Sequence, residues 1–226
     1  MQPYFLPYIG YFQLIAAVDE LIVYDNIKYT KKGWINRNRY LSNGGAATFT
    51  LPLRKAPDHL DILARRIADD FNRTKLLSQL REAYRKAPHF DATYPLLEDV
   101  ANSQAIGLFD FLLDGLRLTC RHLGLTTTIR ASSQVAADHS LHGQERVIAI
   151  AKATGADCYI NPIGGTELYS RADFAAAGLD LHFLRPCPPD YAQFGAAFVP
   201  SLSIIDVLMF NGAEQTGTLL QDYDLV

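Results

Sequence analysis

The chain has 226 residues, 49% of them apolar and 20% charged, with 21 lysines and arginines against 24 aspartates and glutamates. That length fits one sizeable domain, and the composition excludes a disordered chain. The formal net charge of −3 gives no global field toward nucleic acid or a membrane surface, so neither is expected as a partner. Cys120, Cys158 and Cys187 are odd in number and far apart, which argues against a disulfide framework or a thiolate metal site and for small buried hydrophobes in a reducing compartment. The first residues lack a basic segment followed by an apolar one, so no signal peptide is expected. The most apolar run, Leu202 to Phe210, is short and interrupted by Asp206, so no membrane span and a cytoplasmic location are expected.

The chain opens with Gln2-Pro3-Tyr4-Phe5-Leu6-Pro7-Tyr8-Ile9-Gly10-Tyr11-Phe12. Its prolines hold the backbone extended, and Gly10 opens a helical pattern reaching Val18. A rigid turn before a helix offers free N–H groups to an anion; it serves equally for aromatic packing around a tight bend. Gln2, Tyr4, Tyr8, Gly10 and Tyr11 are the candidate binding residues here. Leu21-Ile22-Val23-Tyr24 reads as a buried strand ending at Asp25-Asn26.

Residues 28–45 read as a long loop with at most an irregular helical turn. Lys28, Lys31, Lys32, Arg37 and Arg39 lie in it, Arg54 and Lys55 follow, and no acidic residue stands between Asn26 and Pro57. A third of the basic residues are thus gathered in one stretch of an acidic protein. Arginine forks suit phosphate or carboxylate, and Trp34 can stack on a ring. Lys28, Lys32, Trp34, Asn36, Arg37, Asn38 and Arg39 are candidates for binding a phosphorylated ligand, unless the stretch is a solvated surface loop.

Thr48–Leu53 alternates like a strand. Leu76, Leu77, Leu80 and Tyr84 recur at helical spacing up to Lys86-Ala87-Pro88, and a further helical period runs from Tyr94 to His122 with Gly124 as its cap. Residues 70–124 therefore read as a helical insertion or cap within a single domain spanning 1–226. Thr126–Arg130 reads as a strand, Gln144–Thr154 as a helix, Asp157–Ile160 and Leu181–Leu184 as strands. Asn161-Pro162-Ile163-Gly164-Gly165 is a turn where glycines let a ligand approach the backbone, or simply a structural turn. Tyr159, Asn161, Gly164, Gly165 and Tyr169 are its candidate binding residues. Ser203 can cap a last helix that Asn211-Gly212 would end. Asp206 lies inside that apolar helix and needs a partner, as a general base or in an ion pair with the 37–39 segment. Asp25 and Asp206 are the candidate catalytic carboxylates. No histidine or cysteine spacing suggests a metal site.

Strands alternating with helices imply an α/β protein with a mainly parallel sheet and flanking helices. In such sheets ligands bind beyond the carboxyl ends of the strands, here after Val23, after Ile129 and after Ile160.

The segments 2–15, 18–41, 83–90, 158–169 and 198–212, together with Ser132-Ser133, resemble the WbqC-like family. That resemblance implies a role in bacterial O-antigen and related surface-polysaccharide (lipopolysaccharide) gene clusters, without a settled reaction. It also implies a short apolar strand ahead of Gln2; with Met1 as the first residue, either that strand is missing, which would leave the sheet one element short beside the site, or the start at Met1 is late. The turn Pro7-Tyr8-Ile9-Gly10-Tyr11 is similar to the histidine-bearing turn of the nucleotidylyltransferase superfamily, with tyrosines for histidines. This implies a related HUP/Rossmann-like fold without the usual positive charge on the phosphates. Three functions are therefore carried forward. The first is a transferase that adds an acyl or aminoacyl group to a nucleotide-linked amino sugar, with a nucleotide or phosphopantetheine-type donor. The second is a nucleotide-dependent enzyme with a degenerate site. The third is a binding module for a nucleotide sugar or carrier-linked substrate. No cofactor and no oligomeric state follow from the residues.

Overall fold

A computed structural model describes residues 1–226 apart from 188 and 196. In chain order the helices are α1 (Ile9–Ala16), α2 (Arg73–Tyr84), α3 (Phe90–Ala101), α4 (Leu108–His122), α5 (Gly143–Ala153), α6 (Arg171–Ala176) and α7 (Ile204–Leu219). The strands are β1 (Glu20–Val23), β2 (Arg37–Ser42), β3 (Gly45–Thr50), β4 (Thr128–Ala131), β5 (Cys158–Pro162), β6 (Asp180–Pro186) and β7 (Tyr223–Leu225).

The fold is mixed α/β, but a mainly parallel sheet is not what forms. β1 pairs with β4 in parallel, Val23 opposite Ala131. β5 pairs with β6 in parallel, and β7 closes that sheet antiparallel. β2 and β3 make a separate antiparallel hairpin. The physical reason lies between β1 and β5. A cavity of about 500 Å³ separates them, lined by Leu14, Leu21, Val147, Ile150 and Ile160 among others. Met1 lies along the edge of β1 that β4 leaves free: its amine donates to the Ile22 carbonyl at 2.6 Å and its carbonyl accepts from Tyr24 N at 2.8 Å. The two parallel pairs thus face each other without a strand joining them.

The 28–45 segment is a correction. Its second half is the hairpin's first strand, turned by Asn43 (φ 50°) and Gly44 (φ 75°). Both central residues take the left-handed backbone that a two-residue hairpin turn needs. The 94–122 helix is in fact α3 and α4, broken over residues 102–107. Gly212, at φ 70° and ψ 178°, leaves helical geometry where Asn211-Gly212 was expected to end the last helix, and a second helical segment follows directly, so α7 is two helices meeting at a kink.

One apolar core joins α1, the hairpin, α2, α3, α4 and α7, with Tyr11, Phe12, Phe49, Tyr84, Phe111 and Leu208 fully enclosed. A smaller cluster, centred on Phe174 and Phe183, packs α5 and α6 on the β5–β6 sheet. No described helix is long and apolar enough to cross a membrane.

Candidate functional site

The opening turn and the hairpin come together at one pocket. Tyr4, Pro7, Tyr8, Trp34, Asn38, Arg39 and Ser201 line a cavity of about 210 Å³. Its walls are fixed from below by a strained turn. Leu6 sits at φ 46°, a conformation that a branched side chain disfavours. Its carbonyl accepts from Asn38 Nδ2 at 2.8 Å and from Ser203 Oγ at 2.7 Å, which holds the turn in that shape. Asn38 Nδ2 also reaches the Phe5 carbonyl at 3.1 Å. Asn38 is therefore the tie between β2 and the turn. The Tyr8 ring folds over Gly10: a Cβ there would lie 2.5 Å from the ring. Glycine is required at 10 for the ring to form that wall.

The charge of the pocket comes from Arg39. Its guanidinium lies 5.3 Å from the centre of the Trp34 ring, and Nη2 donates to the Ser201 carbonyl at 2.9 Å. Arg39 Nε is buried and has no hydrogen-bond partner among the described residues. Trp34, 41% exposed, presents a stacking face beside it. Arg37 also approaches Trp34, at 5.6 Å, but its guanidinium closes its own loop by donating to the Gly33 and Lys32 carbonyls. The Lys32 side chain is exposed, and neither it nor Lys28, whose backbone forms an antiparallel β-bridge with Asp61, lines the pocket.

Asn36 is buried and bonded to the Tyr29 hydroxyl and the Leu51 carbonyl, so it fixes the loop beneath Trp34. Tyr11 is fully enclosed and donates to the Gln2 carbonyl at 2.9 Å; burial raises its hydroxyl far above the ordinary tyrosine range. Tyr4 donates to Gln2 Oε1 at 3.2 Å, and burial raises its hydroxyl too.

A second cluster gathers at the carboxyl ends of β1 and β4. Asp25 is 2% exposed. Its carboxylate accepts from Ser132 Oγ at 2.8 Å, from Ser133 N at 3.0 Å, and from Ser133 Oγ. Ser133 itself is exposed. Asn26 Oδ1 accepts from Arg146 and lies 2.6 Å from Ser132 Oγ, and its amide Nδ2 donates to His139 Nδ1 at 3.2 Å. Arg146 lies over the Tyr24 ring at 5.1 Å. Of these only Asp25 stood out as a site residue in sequence; Arg146 hides inside an amphipathic helix, and serines next to a short strand carry no signal alone.

Asp206 stands elsewhere. It is fully buried and accepts from Tyr84 Oη at 2.8 Å, Tyr191 Oη at 2.6 Å and Gln193 Nε2 at 2.5 Å. Burial raises its carboxyl above the usual range, against the lowering effect of those three donors. No arginine of the 37–39 segment pairs with it. On β5, Tyr159 donates to Asn161 Oδ1 at 3.0 Å and stacks on Phe174, while Tyr169, past the strand, meets both rings edge-on. Asn161 leans over Gly165, whereas Gly164 is open. Tyr159 and Asn161 line the large cavity between β1 and β5, not the aromatic pocket. Among the described residues no group of histidines, cysteines and carboxylates is placed to hold a metal.

The chain is similar to Uncharacterized protein Rv1507c of Mycobacterium tuberculosis (strain ATCC 25618 / H37Rv), at 28% identity over 95% of this chain and 93% of that protein. No solved structure matches it. The family model of the WbqC-like protein family matches residues 2–218, which take in the aromatic turn, the hairpin and both clusters, and the chain belongs to that family.

Proposed function

We propose that the pocket between the aromatic turn and the hairpin binds a phosphorylated, ring-bearing substrate, and that the protein is a sugar-modifying transferase acting on a nucleotide-linked amino sugar in surface-polysaccharide synthesis. One observation carries the reading: a buried Arg39 Nε, unpartnered among the described residues, beside the exposed Trp34 face. A guanidinium edge for a phosphate next to an indole for a sugar or base is what such a ligand needs. Of the two candidate bases Asp25 is the one this reading keeps, since its partner Ser133 opens to solvent while Asp206 is enclosed by tyrosines; Asp25 does not line the aromatic pocket, so its role requires a ligand that extends from Trp34 to the ends of β1 and β4. The donor is an acyl or aminoacyl group on a nucleotide or phosphopantetheine-type carrier.

A binding module without turnover is the second reading; it is favoured by both aspartates being occupied by hydrogen bonds. Nucleotidyl transfer has less support, because the Tyr11 hydroxyl is taken by the Gln2 carbonyl and does not face the pocket.

Trp34 is the single tryptophan of the chain, so its fluorescence reports on this pocket directly. Titration with a uridine-diphosphate amino sugar is expected to quench it, and Arg39→Gln to weaken binding about tenfold or more, the worth of a charge-assisted hydrogen bond. No response to nucleotide sugars, ATP, CTP or coenzyme A would overturn the assignment.

A further inference from the structure

Arg146, the fourth residue of α5, is 9% exposed and forms no ion pair among the described residues. Both of its terminal nitrogens are committed to Asn26, through the backbone carbonyl at 3.3 Å and the side-chain oxygen. Its Nε is buried without a hydrogen-bond partner among the described residues. A buried cation without a counter-charge is costly, and neutral carbonyls offset only part of that cost. The side chain also points back toward the amino end of its helix, where the helix dipole is positive and disfavours a cation. The hydrogen-bonded path to a carboxylate runs through Asn26 and Ser132 to Asp25, whose oxygens are already engaged by Ser132 and Ser133. Arg65 differs in setting: it too is buried on carbonyls, but it adds, after the paired Lys31, to the lowering of the exposed Asp58 carboxyl.

The polar groups around Arg146 converge at the carboxyl ends of two parallel strands. Tyr24 and Asn26 follow β1, and Ser133 and His139 follow β4. His139 is held with Nε2 toward the Val135 carbonyl at 3.0 Å, which leaves Nδ1 facing the Asn26 amide. This is the place where open parallel sheets take their ligands. We infer that Arg146 anchors a second subsite, separate from the aromatic pocket, which receives an oxyanion group, either a carboxylate or a phosphate, against Tyr24 and Asn26. The unspent guanidinium donors supply the hydrogen bonds, and the anion supplies the counter-charge that the folded chain lacks. Nothing in this depends on what the Trp34 pocket binds.

The test is a titration of protein carrying ¹⁵N-labelled arginine with inorganic pyrophosphate and, separately, with malonate. The Arg146 Nε–H signal, assigned by its absence in Arg146→Lys, is expected to move with one of them, and that anion names the chemistry. Arg146→Gln is expected to weaken the same anion about tenfold or more while leaving the Trp34 fluorescence response to nucleotide sugars intact. A purely structural arginine would lower the melting temperature of Arg146→Gln without changing the anion's affinity. An Nε–H signal unmoved by both anions, or anion affinity unchanged in Arg146→Gln, overturns the proposal. The wild-type titration decides the matter even where the Gln variant fails to fold.

Discussion

Ser203 donates its hydroxyl to the Leu6 carbonyl at 2.7 Å, across 197 residues of sequence. The same hydroxyl accepts from Ile205 N at 3.3 Å and so caps α7, while Ser203 N reaches the Arg39 carbonyl and Ile204 N the Pro7 carbonyl. One residue thus starts the last helix, braces the strained turn and tethers the strand that carries Arg39. Ser203→Ala removes the cap and leaves a buried carbonyl short of one donor, a loss of about 1–3 kcal/mol. Urea unfolding should show a lower midpoint at unchanged slope. The Trp34 pocket should also bind its ligand more weakly, because Leu6 is then held by Asn38 alone.

Asp206 was one of two carboxylates that the sequence offered as a base, and the two candidate roles predict opposite results. Three donors meet its oxygens in a fully buried setting. Asp206→Asn puts an amide donor where Tyr84, Tyr191 and Gln193 all donate, so at least one buried donor is left unpaired. The expected cost is about 2–4 kcal/mol, read as a lower melting temperature. A base that is free for chemistry would instead leave stability nearly unchanged.

How far the fold could be read from the sequence depended on whether a signal was local. α1, β1, α5 and β5 follow from their own apolar periods and caps. The hairpin signal, Asn43-Gly44, was also local, but the polar and basic residues of 28–42 masked the alternation of β2, whose Asn38 and Tyr40 face inward. β7 carries no pattern of its own; its Tyr-Asp-Leu exists as a strand because β6 offers an edge. In the site, Tyr4, Tyr8, Trp34, Asn38 and Arg39 were all visible as unusual residues, and they do meet in one pocket. What single-residue chemistry could not show is which polar groups are already occupied. Arg37, Asn36, Tyr11 and Asp206 are all bound to partners that only the folded chain supplies.

Gly212 is a position where backbone and packing agree. At φ 70° and ψ 178° it occupies a region open essentially to glycine, and a Cβ there would lie 2.7 Å from the His89 ring. The backbone N–H of His89 donates to the Met209 carbonyl at 3.0 Å, which anchors the segment carrying the ring against the kink. Gly212→Ala should cost about 2–4 kcal/mol through backbone strain and overpacking. The check is calorimetric melting alongside Gly217→Ala, where a Cβ meets nothing within 4 Å and stability should hold or rise.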